Sequence, residues 1–166
     1  MTTPDAADYE AFVAARIAAL SRTAYLLTGN HHDAEDLVQT TLFKAARSWH
    51  RITGEPEPYV RRIMYNENVS RWRRRRVAEF ATSRLPEQPA ADADVDTRLE
   101  LQRALQTLTP RQRTMLVLRF FEDLTEERTA AAMGLSVSTV KSETRRALAR
   151  LGQRFPELER SPARDG

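Results

Sequence analysis

Apolar residues recur every three or four positions along most of the chain, which is the spacing of one buried face of an α-helix. The predicted helices cover 9–27, 33–49, about 59–76, and further segments from 101 onward. Gly54, Pro56 and Pro58 interrupt this pattern and predict a break between the second and third helices. We find no run of alternating apolar and polar residues of the kind that strands show. The pattern predicts an all-α fold.

Polar residues before two of these helices have the character of N-caps. Asp33, with Asp36 three residues later, predicts a variant capping box at the start of the second helix. Thr109, Pro110 and Gln112 predict another helix start, with threonine as N-cap, proline at the first position and glutamine closing the box. The helix that follows is apolar over most of its surface, from Met115 to Phe121, as expected of a central buried element.

The stretch 82–97 differs from the rest of the chain. It contains two prolines, several alanines and acids, and no usable period, so it cannot bury enough surface to offset the entropy of ordering. We expect a flexible linker between two small helical domains, at 1–81 and 98–166, the second including a short tail.

The C-terminal domain carries the sequence pattern of a helix-turn-helix. Thr125 can cap a first helix, Gly134 can supply a left-handed turn, and Ser136 can cap a second helix. Ala130 is small enough for the two helices to cross closely, and Val140 can fill the wedge between them. This combination of residues and spacings is typical of DNA-binding motifs.

The second helix of this motif is basic and polar on its outer surface. Cations there can bind phosphates or read guanine edges in the major groove. The candidate DNA-binding residues are Ser138, Thr139, Lys141, Ser142, Arg145 and Arg146. The alternative is a solvated basic face on an ordinary helical hairpin. Glu143 lies within this run, either facing solvent or accepting from a cytosine amine.

Residues 61–76 contain seven arginines against one glutamate, with two aromatic residues interleaved. Guanidinium groups that follow a backbone, beside aromatic or polar walls that receive an unstacked base, are typical of single-strand binding. The candidate residues are Arg62, Tyr65, Asn66, Ser70, Arg71, Trp72, Arg73 and Arg74. The alternative places Tyr65 and Trp72 in the core and makes the consecutive arginines a solvated helix end.

Composition excludes several other classes of site. The absence of cysteine removes disulfides, thiolate chemistry and Cys-based zinc sites, and His31 and His32 lack the spacing of metal ligands. No apolar run approaches the ~20 residues of a membrane span, and the acidic N-terminus does not resemble a secretory signal. We therefore expect a cytoplasmic protein with no membrane insertion, no metal and no cofactor.

Two motifs together resemble a known family. The run Asp33-Ala34-Glu35-Asp36-Leu37-Val38-Gln39, leading into an amphipathic helix, resembles the core-polymerase-binding segment of sigma factors. The run Thr139-Val140-Lys141-Ser142 after the turn glycine resembles their C-terminal DNA-reading helix. With two domains and a short linker, the chain is similar to the extracytoplasmic-function group, over 9–77 and 98–153.

The resemblance implies a protein that binds and does not catalyse, a sigma factor directing promoter-specific initiation. Its first domain, similar to sigma region 2, would bind the clamp helices of the largest subunit of core RNA polymerase and the single-stranded −10 element, the latter through 61–76. Its second, similar to region 4, would read the −35 duplex of promoter DNA. The residues implied in polymerase binding are Glu35, Asp36, Gln39 and Phe43. An anti-sigma factor is a further candidate partner.

Two positions depart from the family pattern. Thr40 stands where the family usually has an acid, which puts the strength of the polymerase contact in doubt. Arg128 stands where the family usually has an apolar or neutral residue, and it would either face phosphate or weaken the packing of its helix.

Two other classes of protein compete with this interpretation. One is an ordinary helix-turn-helix regulator that dimerises through its N-terminal half and binds DNA without polymerase. The other is a helical enzyme with Asp33, Glu35 and Asp36 as metal ligands. Adjacent acids on one helix do not converge on a cation without ligands from elsewhere, and the sequence shows none.

Overall fold

The computed structural model describes residues 6–82 and 97–154, and nearly all of them are helical. The helices are α1 (Ala6–Thr28), α2 (His31–Ser48), α3 (Pro56–Thr82), α4 (Thr97–Gln106), α5 (Pro110–Leu116), α6 (Glu126–Met133) and α7 (Val137–Arg154). No β-strand occurs within these described ranges. The all-α prediction is confirmed; most of the expected linker lies outside the described residues.

Helices α1, α2 and α3 form the N-terminal half, with α2 in contact with both of the others. Their buried faces are the ones that the apolar spacing predicted. Five of the core side chains are at most 1% exposed to solvent. They are Leu20 and Leu27 of α1, Leu37 of α2, and Val60 and Met64 of α3. Burial of such side chains, at roughly 1.5–3 kcal/mol each, is the main force that holds the bundle together.

The N-cap of α2 is Asn30, so the prediction that Asp33 caps this helix is wrong. The side-chain oxygen of Asn30 accepts from the Asp33 backbone N–H at 2.8 Å, and its Nδ2 donates to the Asp33 carboxylate at 2.7 Å. Asp33 is the third residue of the helix and holds the capping side chain through both its backbone N–H and its carboxylate. His31 and His32 therefore lie in the first turn of α2 and not in the preceding loop.

Helix α3 begins at Pro56, three residues earlier than predicted. Neither Pro56 nor Pro58 breaks the helix, because the N–H groups of the first turn have no intrahelical partner and proline therefore loses nothing there. Gly54, with a φ of 85°, makes the turn that precedes the helix.

The start of α5 matches its prediction. Thr109 is the N-cap and forms a complete capping box with Gln112, with Pro110 in the first turn. The apolar run that follows is buried from Met115 to Leu118, as expected of a central element, but the expectation is wrong for Phe120 and Phe121, which are exposed. The chain continues from α5 as a π-helical segment, Val117–Phe121. Its wider turn shifts the register of the apolar face and brings both phenylalanines to the surface.

A buried arginine joins the two halves. Arg113 of α5 donates to the carbonyl oxygen of Leu27, at the end of α1, at 2.7 Å, and to the carbonyls of Leu105 and Leu108 at 2.9 and 3.2 Å. Burial lowers the pKa of the Arg113 guanidinium to about 10, and its three acceptors are neutral. The arginine thus bridges α1 and the α4–α5 corner.

A second contact between the halves is ionic. Glu122, after the π-helical segment, forms an ion pair with Arg61 of α3 at 2.6 Å and accepts from the hydroxyl of Thr23 of α1 at 2.7 Å. Gly29 permits a third contact, since a Cβ there would lie 2.3 Å from the Gln106 side chain. The C-terminal half is therefore packed directly on α1 and α3.

Candidate nucleic-acid interface

Helices α6 and α7 form the predicted helix-turn-helix. Thr125 accepts from the Arg128 N–H as N-cap of α6, and Gly134 ends that helix in the left-handed conformation at a φ of 66°. Ser136 Oγ accepts from the Thr139 N–H at 3.2 Å and caps α7. The sequence predicted each of these local features, and the structure confirms them.

The wedge between the two helices is filled as expected. Ala130 is 4% exposed and Val140 is fully buried. The Leu135 N–H donates to the Ala130 carbonyl at 2.9 Å and closes the turn. The outer surface of α7 is thereby held in a fixed orientation relative to α6, as a reading helix requires.

Most of the predicted DNA-binding residues of α7 face solvent. The exposed ones are Ser138, Lys141, Ser142, Arg145 and Arg146. Thr139 is half-buried, and its hydroxyl lies 2.7 Å from that of Ser136 at the cap. The arrangement presents a basic and hydroxyl-rich surface over the first three turns of the helix.

Neighbouring acids hold two of the three cations on this surface. Glu143 pairs with Arg146 at 2.9 Å and also accepts from Gln112 of α5 at 3.4 Å. Glu126 of α6 lies 3.6 Å from Lys141. From the sequence, Glu143 was expected either to face solvent or to accept from a cytosine amine, and its pairing with Arg146 was not predicted. Arg145 has no hydrogen-bond or ion-pair partner among the described residues.

The arginine-rich part of α3 presents three different faces. The face toward solvent carries four of the predicted single-strand residues, which are Arg62, Asn66, Ser70 and Arg73. These residues are all exposed, and a nucleic acid can contact them without any rearrangement of the chain.

A second face of α3 lies toward α2 and contains a buried acid. Glu67 is 6% exposed and pairs with Lys44 of α2 at 2.5 Å and with Arg74 at 3.0 Å, while Arg71 lies 3.8 Å away. Desolvation acts to raise the pKa of Glu67, but hydrogen bonds from Lys44 and Arg74 outweigh it, and the pKa is lowered. The carboxylate therefore stays ionised within a cluster of cations.

The third face of α3 lies toward the C-terminal half, where α5 and α6 contact it. Tyr65 is 2% exposed, so it belongs to the core in this arrangement and is not the exposed aromatic wall that we expected. Its burial raises the pKa of its hydroxyl. Asn68 donates to Thr114 of α5 at 3.3 Å, and the half-buried Trp72 lines a small cleft beside Pro110.

Helix α2 displays the residues implied in polymerase binding along one exposed stripe. Glu35, Gln39 and Phe43 follow one another at intervals of four, and Phe43 is 63% exposed with the Arg47 guanidinium above its ring. Asp36 is half-buried and lies 3.8 Å from His32. An exposed apolar ring beside acids suits a basic helical partner.

The two departures from the family pattern have structural counterparts. The Thr40 hydroxyl accepts a hydrogen bond from the Arg71 guanidinium of α3 at 3.3 Å. An acid at this position would have formed an ion pair with Arg71 instead. Arg128 is exposed in the first turn of α6, so it does not disturb the packing of that helix.

Of the three acids that could have served a metal ion, Asp33 is held by an arginine. Asp33 pairs with Arg75 at 2.6 Å, and this hydrogen bond holds the pKa of the Asp33 carboxyl below its usual range. Among residues 6–82 and 97–154, no group of three or more His, Asp or Glu side chains could hold a metal ion. In the same part of the chain, no helix is long and apolar enough to cross a membrane.

Both halves match known protein families. Residues 12–78 match sigma-70 region 2, and residues 98–151 match sigma-70 region 4. The RNA polymerase sigma-E factor of Streptomyces coelicolor is 41% identical over 148 residues, which cover 87% of this chain and 84% of that protein. The ECF RNA polymerase sigma factor SigE of Mycolicibacterium smegmatis is 37% identical over 137 residues, covering 75% and 52% of the two chains.

Solved structures show the same fold. The sigma factor RpoE from Bartonella quintana, in complex with the anti-sigma factor NepR, superposes with a TM-score of 0.74 at 27% identity, covering 93% of this chain and 99% of that one. CnrH, in complex with the cytosolic domain of CnrY, shares the fold with a TM-score of 0.63 over 92% of this chain and 90% of that one, at 23% identity.

The matches to sigma-70 regions 2 and 4 place the chain in the class of transcription initiation factors. Within that class, the chain belongs to the sigma-70 family and is an RNA polymerase sigma factor of the extracytoplasmic-function group.

Proposed function

We propose that three surfaces of this sigma factor each bind a different target. The α2 stripe of Glu35, Gln39 and Phe43 binds the clamp helices of the largest polymerase subunit. The solvent face of α3 follows the melted −10 strand, and α7 reads the −35 duplex. The observation that carries the proposal is the outer surface of α7, where exposed cations stand on a rigid helix-turn-helix. The proposed domains are those of the sequence, 1–81 and 98–166.

All three roles consist of binding. Cations on α3 and α7 neutralise phosphates and release counterions, and one or two side chains on α7 add sequence preference. The proposed partners are core RNA polymerase and promoter DNA, so the proposed place of action is the cytoplasm.

The Bartonella quintana sigma factor, whose fold this chain shares over nearly its full length, was solved with an anti-sigma factor. An anti-sigma factor is therefore a proposed partner here too.

Reconstituted transcription tests the proposal. The purified chain is combined with sigma-free core polymerase on a library of promoter-like DNA, and core alone is the control. We expect specific starts only when the chain is present, and their upstream sequences give the −35 and −10 preferences directly. Absence of both starts and core binding, together with operator binding by the chain alone, would instead indicate a polymerase-independent regulator.

A further inference from the structure

Glu67 joins α2 to α3 through cations that are much more exposed than it is. Its own side chain is 6% exposed, whereas those of Lys44 and Arg74 are 52% and 67% exposed. The lysine binds one carboxylate oxygen and the arginine the other. One buried acid therefore fixes the positions of two charged groups that reach the surface.

The charge of this cluster is unbalanced. Lys44, Arg71 and Arg74 bring three positive charges to a single carboxylate, so two remain uncompensated within the cluster. Cations this close repel one another, and without the acid their long side chains would spread into solvent. A surplus of fixed positive charge at the surface is a suitable site for a phosphate group.

The cluster lies next to the solvent face of α3. Ser70, which is exposed, precedes Arg74 by one turn, and residues four apart on a helix are neighbours on its surface. A nucleic-acid strand that follows Arg62, Asn66 and Ser70 would next reach Arg74 and, beside it, Lys44 of α2.

We infer that Glu67 is a positioning residue that holds Lys44 and Arg74 together as a clamp for one backbone phosphate of promoter DNA. The inference rests on the proposed function and extends the −10 surface from α3 onto α2. Lys44 then contacts the phosphodiester backbone and contributes affinity without sequence preference, because phosphates carry no base identity.

The salt dependence of promoter binding tests the role of Lys44. Holoenzyme formed with saturating Lys44→Ala chain is titrated with promoter DNA whose −10 region is already mismatched and open. We expect the slope of log K against log salt to fall in magnitude by about 0.7, the value for one single-strand phosphate contact. Arg51→Ala is the matched control, since it removes an exposed cation outside the cluster and should leave the slope unchanged. A slope for Lys44→Ala equal to that of wild type would overturn the inference.

A double-mutant cycle tests whether the two cations hold the same phosphate. Groups that share one partner give non-additive losses, whereas independent groups give losses that add. We expect Arg74→Ala to cost much less in the Lys44→Ala background than in wild type. Additive losses would show two separate contacts and would contradict the clamp.

The role of Glu67 is tested by Glu67→Gln, which keeps the shape and removes the charge. If the acid positions the clamp, promoter affinity falls several-fold although the local positive charge rises. If the acid were a mere counter-charge, its removal would strengthen DNA binding, and that result would reject the positioning role. If Glu67→Gln does not fold, the phosphate clamp itself is still tested by Lys44→Ala, which changes an exposed position.

Failure of this inference and failure of the proposed function give different results. Wild-type holoenzyme without specific starts would contradict the proposed function. Normal starts by wild type, together with an unchanged salt slope for Lys44→Ala, would contradict the phosphate clamp alone.

Discussion

Arg145 differs from the other cations near the start of α7, because Lys141 and Arg146 are paired with acids of the same half. An arginine with no hydrogen-bond or ion-pair partner in the described part of the chain has no such pair there to break when it meets DNA. We expect Arg145→Ala to cost about 1–3 kcal/mol in promoter binding and to relax preference at one −35 position. Selection from a −35 library measures both. A loss that is uniform over all sequences would make Arg145 a phosphate contact instead.

The ion pair of Asp33 with Arg75 gives a prediction for the pH dependence of stability. The hydrogen bond from Arg75 lowers the pKa of Asp33 in the folded state, so folding favours the ionised form. Its contribution is present above the ordinary aspartate pKa and is lost as the pH falls through the lowered value. Asp33→Asn should therefore reduce stability by up to about 1 kcal/mol near neutral pH.

Urea denaturation of both chains over a range of pH measures this difference. We expect it to shrink as the pH falls below 3.8, the ordinary value for this residue type, and to vanish where Asp33 is protonated in the folded state as well. A difference that stays constant down to low pH would show that charge plays no part.

At the scale of single residues, the sequence predicted features that depend on neighbouring positions, such as helix caps, and missed contacts between positions far apart in the chain. Asn30 and Asp33 are both good N-caps three residues apart, and propensity alone does not decide between them. The pairing of Lys44 with Glu67 links positions 23 residues apart. The available signal was Glu67 itself, the sole acid within residues 61–76, since an acid in such a run is readily surrounded by cations.

Among the elements, the helix-turn-helix was the most completely predictable. Its caps, its turn glycine and its wedge residues act within a few positions of one another, so sequence spacing determines them. The orientation of α3 was not predictable in this way. Its period shows that the helix has an apolar side, but which polar residues the C-terminal half covers depends on contacts distant in sequence, such as that of Asn68 with Thr114.

The turn of the motif gives a prediction at this scale. Gly134 has a φ of 66°, and apart from its chain neighbours no atom of the described residues lies within 4 Å of the place that a Cβ would occupy, so Gly134→Ala is strained without any clash. We expect a loss of about 1–2 kcal/mol in stability and a weakened −35 interaction, because α7 changes its angle to α6. Urea denaturation and binding to a −35 duplex measure the two effects.

Gly54 provides the control for this substitution. It has a φ of 85° and equally open surroundings, but lies in the turn before α3, far in sequence from the motif. Gly54→Ala should cost similar stability and leave −35 binding intact. Equal losses of −35 binding in both variants would show that general destabilisation, and not the turn, is responsible.

In the whole molecule, the C-terminal half covers one face of α3, including Tyr65 and Asn68. A single strand cannot reach that face while the halves are packed together. We therefore expect the halves to separate when core polymerase binds. The cysteine-free sequence allows the exposed Ala11 and Ala131 to be replaced by labelled cysteines, one in each half.

Fluorescence energy transfer between these labels measures the separation. We expect high transfer in the free chain and a clear fall when core is added, with bovine serum albumin as the control protein. Transfer that stays high with core, under conditions that give specific starts, would show that the packed arrangement is compatible with initiation.

The hydrogen bond from Arg113 to the Leu27 carbonyl makes the stability of the last turn of α1 depend on the C-terminal half. The last carbonyls of a helix have no partner within it, and here a guanidinium from α5 caps one of them at 2.7 Å. When the halves part, α1 loses this external cap and its final turn becomes free to fray. Amide hydrogen exchange in the turn joining α1 to α2 should then accelerate, although no residue there contacts DNA or polymerase in the proposed function. The rate of amide exchange at the end of α1 thus indicates whether the two halves are packed together or separated.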